Sequence, residues 1–339
     1  MNEQPQALET PLQPCDPEDA GFSSERLGLL RDMLQREIDA KRMPGCVIGI
    51  ARQGQLAWLD ALGARDPNTG DAMPADAVFS IASMTKLMTS VVTMQLFEEG
   101  RLLLGDPVDA YLPQLANLKV AEFAADGGLM TRTANRQPTI QDLLRHTSGL
   151  TYQNRGTTSA HALYPGSSMS ASEALKPAEF LETLAACPLM FDPGAKWEYG
   201  FSTDVLGHIA EAITGKPLGE IMAERIWQPL GMADTAFELD ANSAKRYALA
   251  FDRDPMTGEP QSIAHARGGK RHWNSGGGGA VSTTSDYLKF LHMMLSLGDF
   301  DGTRILGRKT VEFMTTDHLP ADAENRIADT MDPAATGYG

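Results

Sequence analysis

Apolar positions first recur at helical spacing after Ser23-Ser24-Glu25, where Leu27, Leu30, Leu34 and Ile38 form one stripe. The spacing predicts a helix to about Lys41, capped by the Ser-Ser-Glu run and ended by Pro44-Gly45. Cys46 to Ala51 is a short apolar run suited to a buried strand, and Gln53-Gly54-Gln55 reads as a hairpin turn into a second strand from Leu56 to Leu62. A turn cluster, Asp66-Pro67-Asn68-Thr69-Gly70, follows. From Met84 to Glu99 the chain is apolar almost all round, through Met84, Leu87, Met88, Val91, Val92, Met94, Leu96 and Phe97, and Gly100 stops it. Such a pattern predicts a buried helix.

Beyond Gly100 the pattern predicts helices joined by long loops. Thr139 to Leu144 is a short helix stopping at His146-Thr147-Ser148-Gly149, and a Ser-, Gly- and Ala-rich loop runs to about Ser172. Further helices are expected from Pro177 to Ala186, Thr203 to Thr214 and Leu218 to Trp227. A turn at Gly276 to Gly279 needs glycine, and Thr284-Ser285-Asp286 caps a helix to Leu297. A lone two-stranded hairpin is marginal, so Cys46 to Leu62 needs partner strands, and no strong candidate for them stands out before Gly339.

Composition narrows the function. The 339 residues are 42% hydrophobic and 22% charged, as in an ordinary globular protein. A net charge of -15 and a pI near 4.9 argue against a nucleic-acid partner, since no basic face meets phosphates. Residues 1–20 lack both a basic start and an apolar core, so no secretory signal is expected, and no window has the apolar length to span a bilayer. Cys15, Cys46 and Cys187 are odd in number and widely spaced, which suggests reduced thiols in a cytoplasm.

The densest chemistry lies at Ser83-Met84-Thr85-Lys86. Residues three apart on a helix share a face, so Ser83 Oγ and Lys86 Nζ can meet. The positive end of a helix favours a developing alkoxide, and a lysine kept neutral by burial can act as its base. Serine is also a common helix cap, and Ser-x-x-Lys turns up by accident about once in a chain this long. The pair therefore gains weight from its company.

That company is the run Leu143-Leu144-Arg145-His146-Thr147-Ser148-Gly149-Leu150 and the run Pro193-Gly194-Ala195-Lys196-Trp197-Glu198-Tyr199-Gly200-Phe201-Ser202. In order and spacing the three segments resemble the serine β-lactamase and penicillin-binding superfamily, and within it the class C β-lactamase-like family VIII carboxylesterases. Pro229 to Thr235 and Ser275 to Thr283 resemble the same group, so the likeness covers most of the chain from about Asp19. It implies Ser83 as nucleophile, Lys86 as its proton partner and Tyr199 as the tyrosine sharing protons with both. A tyrosine beside an ammonium loses its proton more readily, which suits it to protonate the leaving alcohol and activate water. No cofactor and no metal is called for.

Two departures from the family stand out. Phe201 occupies the position where the β-lactamases usually carry an asparagine that binds the lactam side-chain amide, which favours simple esters over lactams. The third motif, a Lys-Thr-Gly or its His- or Trp-Gly-Gly equivalent, is not reached before Thr336-Gly337-Tyr338-Gly339, while Lys309-Thr310-Val311 lacks the glycine and falls in a predicted helix. The closing strands and one of two oxyanion donors would then be missing, as in a truncated chain or an incomplete family member.

Other signals are weaker. There is no Gly-x-Ser-x-Gly elbow, no phosphate-binding loop around Gly276, and no His-Glu-x-x-His. Glu198 and Asp204 flank the expected site as carboxylates of the usually solvated kind, and Trp197 and Trp273 can either line an acyl pocket or pack in the core. The expected fold is α/β (α+β), an antiparallel sheet flanked by helices with a large, mainly α-helical insertion. Residues 1–82 and 274–339 would form the sheet region, and 83–273 the helical region carrying the site. The expected function is hydrolysis of a small-molecule carboxylic ester through an acyl-enzyme on Ser83, with Phe201 and Trp273 contacting substrate. β-Lactamase or DD-peptidase activity, or a catalytically silent binding relative, are the alternatives.

Overall fold

The computed structural model describes residues 12–261 and 271–319. In chain order it places β1 (Gln13–Pro14), α1 (Ser24–Asp39), β2 (Gly45–Arg52), β3 (Gln55–Asp66), β4 (Asp71–Ala72) and β5 (Val78–Ser80) before α2 (Thr85–Glu98). Next come β6 (Lys119–Phe123), β7 (Leu129–Thr133), α3 (Ile140–Leu144), α4 (Ser168–Ala174), α5 (Pro177–Ala186), α6 (Ser202–Thr214), α7 (Leu218–Met222) and α8 (Ser243–Arg246). The described chain closes with β8 (Val281–Thr283), α9 (Thr284–Leu295), β9 (Asp299–Phe300), β10 (Thr303–Arg304) and α10 (Arg308–Met314). No described helix is long and apolar enough to cross a membrane.

The described chain divides into two compact units. The first comprises residues 12–80, 226–261 and 281–308. Its sheet is built on the β2–β3 hairpin, whose turn residues Gln53 and Gly54 both have positive φ, at 53° and 79°, as a two-residue hairpin requires. The partner strands that the pattern did not show are short: β1 runs parallel to the start of β3, and β4 pairs antiparallel with its end through Ala64 and Asp66. Both α1 and α9 pack on this sheet, α1 through an Arg31–Asp60 ion pair of 2.8 Å and α9 over Gly49, where a Cβ would come 2.7 Å from Leu288. β5 pairs antiparallel with β8, and Val78, Val281 and Tyr247 form a buried cluster beside them.

The second unit comprises residues 81–225, 271–280 and 309–319 and is mainly helical, with α2, α3 and α7 packed around α6. Only the β6–β7 hairpin interrupts the helices with a regular strand pair. These boundaries differ from the sequence expectation in four stretches, residues 81–82, 226–261, 274–280 and 309–319. Residues 226–261 join the sheet unit because Ala236 bridges Val281 and Tyr247 bridges Val78. Residues 309–319 join the helical unit, where Thr310 Oγ1 donates to Glu98 and Arg145 Nη1 donates to the carbonyl of His318 at 3.2 Å.

Most expected elements are present, with shifted ends. α9 is capped by Thr283, whose hydroxyl accepts from the Asp286 amide, rather than by Thr284. The helix after Leu218 widens into a π-turn at residues 223–227. Lys309 to Val311 does fall in a helix, α10, whereas Thr336 to Gly339 lies outside the described residues.

Candidate active site

The chain reaches Ser83 through a constrained turn. The Ile81 amide donates to the Ala280 carbonyl at 3.0 Å, and Ala82 then adopts φ +43°, a left-handed value unfavourable for a residue with a Cβ. Ala82 to Met84 form a single 3-10 turn running straight into α2. In such a turn side chains three apart eclipse, and Lys86 Nζ lies 3.4 Å from Ser83 Oγ. Ser83 is exposed rather than buried, because the 3-10 turn carries it ahead of the packed part of α2, whose buried residues begin at Thr85.

Tyr199 arrives from far along the sequence, held by the His146 to Thr151 segment. The Gly194 amide donates to the Thr147 carbonyl at 2.7 Å and the Glu198 amide to the His146 carbonyl at 2.9 Å. Gly200 closes on this segment so tightly that a Cβ would sit 2.5 Å from the Leu150 carbonyl oxygen and from Thr151 Cα. The result is a 2.5 Å hydrogen bond between Tyr199 Oη and Ser83 Oγ, with Lys86 Nζ 4.5 Å above the Tyr199 ring centre. Tyr152 meets that ring edge-on at 5.6 Å.

A third segment completes the setting. Lys86 Nζ donates to the Gly277 carbonyl at 2.5 Å. The glycine run is tied to α2 by Thr89 Oγ1, which donates to the Gly276 carbonyl at 2.9 Å, and by Thr85 Oγ1, which accepts from the Ala280 amide at 3.1 Å. Two of the glycines are needed here for space: none from Gly276 to Gly279 has positive φ, but a Cβ at Gly276 would come 2.8 Å from the Thr203 carbonyl oxygen, and one at Gly277 would collide with Asp204 Oδ2 and stand 2.5 Å from Ser168 Oγ.

The electrostatics separate groups that hold protons from groups that do not. Burial, and after it the nearness of Lys86, push the His146 imidazole down to about 3, so it stands neutral against Tyr199. Burial and Asp204 hold the Tyr152 phenol well above its ordinary range. Because Ser168 Oγ gives its proton to Asp204, the Tyr152 hydroxyl donates to Ser168 across 2.7 Å. For Asp142, burial acts upward but is outweighed by hydrogen bonds from Arg136, the Thr139 amide and Arg145, which bring the carboxyl down to about 2. That carboxylate is the N3 half of the α3 capping box, whose N-cap is Thr139, and it holds the Thr147 hydroxyl at 3.0 Å, fixing the segment on which Tyr199 rests.

The structure thus brings Ser83, Lys86 and Tyr199 together, and it places the two expected substrate contacts elsewhere. Phe201 is completely buried, its ring 4.6 Å from Tyr152 and 5.3 Å from Phe180. It is a core side chain because α6 begins at Ser202 and turns it inward. Trp273 is also buried, packs on Phe180 and His208, and spends its Nε1 proton on the Leu175 carbonyl at 3.1 Å. Asp204, expected to be solvated, is buried and accepts from Ser168, Ser275 and the Gly277 amide. Glu198 is half-buried and ion-paired to Arg155 at 3.3 Å. Nothing local in the sequence marks Asp204 or Gly277, since their partners lie 36 to 191 residues away.

The chain is similar to known proteins over most of its length. The Beta-lactamase family profile matches residues 30–339. Protein Rv1367c of Mycobacterium tuberculosis (strain ATCC 25618 / H37Rv) is 35% identical over 310 residues, which cover 90% of this chain and 75% of that protein. Esterase EstB of Burkholderia gladioli is 32% identical over 266 residues, covering 78% of this chain and 62% of EstB. The solved structure of EstCE1, described as a hydrolase with promiscuous acyltransferase activity, superposes with a TM-score of 0.68 at 25% identity, covering 84% of this chain and 75% of its own.

Proposed function

We propose, for a chain that belongs to the beta-lactamase family, the hydrolysis of carboxylic esters through an acyl-enzyme on Ser83. The observation that carries this reading is the 2.5 Å contact of Ser83 Oγ with Tyr199 Oη, with Lys86 Nζ 3.4 Å from the same serine oxygen. A serine is a weak nucleophile until a neighbouring base takes its proton, and both candidate bases touch this one. Ser83 Oγ would attack the ester carbonyl as its proton passes to the Tyr199 and Lys86 pair. The tetrahedral adduct then collapses, the carbon–oxygen bond to the alcohol breaks, and the alcohol leaves with that proton. Water, deprotonated by the same pair, cleaves the acyl-enzyme and frees the acid.

Esters are the expected substrates in this reading, although Phe201, fully buried among Tyr152, Tyr164 and Phe180, carries no part of that preference. Esterase EstB among the relatives supports the same substrate class. The description of EstCE1 favours one variation, in which an alcohol replaces water and receives the acyl group. A fluorophosphonate tests the core of the proposal: the adduct should map to Ser83 by mass spectrometry and vanish in Ser83→Ala. Labelling that persists in that variant overturns it. Short p-nitrophenyl esters should be turned over much faster than a chromogenic cephalosporin, and the reverse ranking would make the chain a β-lactamase.

A further inference from the structure

The buried carboxylate of Asp204 stands out because the reaction just described makes no use of it. An ionised carboxylate withdrawn from water is costly unless every lone pair finds a donor. Asp204 is 1% exposed, and no arginine or lysine among the described residues pairs with it. Its donors are instead two hydroxyls and a backbone amide: Ser275 Oγ at 2.6 Å and the Gly277 amide at 3.0 Å on Oδ1, and Ser168 Oγ at 2.5 Å on Oδ2.

Those donors lead to the two proton-handling residues by separate routes. On the Oδ1 side, Ser275 and Gly277 are the first and third residues of the loop whose Gly277 carbonyl accepts Lys86. The amide bound to Asp204 and the carbonyl bound to Lys86 belong to different peptide planes, so the coupling works by position rather than through one polarised amide. The loop is also pressed against Asp204, since even a methyl group at Gly277 would strike Oδ2. On the Oδ2 side, Ser168 receives the Tyr152 hydroxyl at 2.7 Å, and the Tyr152 ring abuts the ring of Tyr199. One carboxylate therefore sits behind both neighbours of Ser83.

We infer that Asp204 is a positioning residue for the reaction, fixing the Gly277 carbonyl that holds Lys86 and the Tyr152 ring that backs Tyr199. The inference rests on the acyl-enzyme reading above. Misplacing a reacting group by about 1 Å can cost about a hundredfold in rate. Removing the carboxylate should therefore lower turnover per active site without changing how substrate binds.

The test is steady-state kinetics on p-nitrophenyl butyrate, with active sites counted by the acyl burst. Asp204→Ala should lose about a hundredfold in kcat per titrated site, with KM within about twofold of wild type. Asp204→Asn keeps an oxygen for Ser275 and Gly277 and should recover most of that loss. A merely structural role would lower the number of titrated sites and leave kcat per site unchanged, and that result overturns the inference. If Asp204→Ala does not fold, Ser275→Ala decides: a fall in kcat per site supports the inference, and wild-type kcat per site overturns it. Failure of the acyl-enzyme reading would look different, because the wild-type protein itself would then give no burst.

Discussion

The imidazole of His146 lies stacked on the phenol ring of Tyr199, centroids 4.9 Å apart and planes inclined by 27°, with Nδ1 buried and without a hydrogen-bond partner. The folded chain thus holds this imidazole neutral down to about pH 3, whereas the unfolded chain takes up a proton near 6.5. A group whose folded value lies below its unfolded one withholds a proton that unfolding accepts. Its share of stability is complete above about pH 6.5 and is lost as the pH falls toward about 3. His161 and His292 are lowered in the same direction by burial. Denaturation midpoints at pH 7 and pH 5 should therefore differ less in His146→Phe, which keeps the stacking, than in wild type. An equal difference in the two proteins would contradict the assignment.

Tyr199→Phe isolates the hydroxyl from the ring. The stacking on His146 and the edge contact with Tyr152 remain, while the 2.5 Å partner of Ser83 Oγ is removed. Esterase kcat/KM should drop by about 10²- to 10⁴-fold, the usual share of a general acid–base group, with an unchanged thermal transition. Activity within a few fold of wild type would mean that Lys86 alone suffices.

Phe201→Asn tests where that side chain points. If the ring lined the site, an asparagine there would improve lactam turnover. Because it is buried among Tyr152, Tyr164 and Phe180, the substitution should instead cost about 3–5 kcal/mol in stability, as large aromatic deletions do, and leave cephalosporin turnover flat. A stable variant that gains lactamase activity would place position 201 at the substrate after all.

Asp142→Ala should be among the most damaging changes remote from the nucleophile. The substitution removes the Asp142 half of the α3 capping box and takes the carboxylate away from Arg136 and Arg145. Removing one partner of a buried ion pair typically costs about 3–5 kcal/mol, and the half-exposed Arg136 puts this case at the lower end. In wild type the same carboxylate contributes stability above about pH 4, lost as the pH falls through about 2. Urea titrations at pH 7 check the first effect; a loss under about 1 kcal/mol would show that the cap is dispensable.

The sequence pattern revealed the long helices because each turns a regular stripe inward, fully buried in α5 and α6 and half-buried in α1. It missed β4, β5 and β8, since two or three residues are too few to show a period. At the site, Ser83 and Lys86 were legible because they share one turn, and Tyr199 because it sits in a resembling motif. Phe201 was placed wrongly for a different reason. A motif position says which residue type stands there, but the direction of its side chain is set by the start of α6 and by three aromatic neighbours from elsewhere in the chain. Asp204 was illegible on the same ground, because its burial is created by the loop at Ser275 to Gly277.

The hydroxyl partner of Ser83 is 116 residues away in sequence, and the carbonyl holding Lys86 is 191 residues beyond that lysine. Closing loops of that length costs entropy that local helix formation does not repay. During refolding, helical signal from α2 and its neighbours should therefore return before any competence to react with a fluorophosphonate. The ability to acylate then serves as a clock for the last long-range closures of the helical unit, and a slow-folding variant would be recognised by helices that reappear on time around a serine that stays inert.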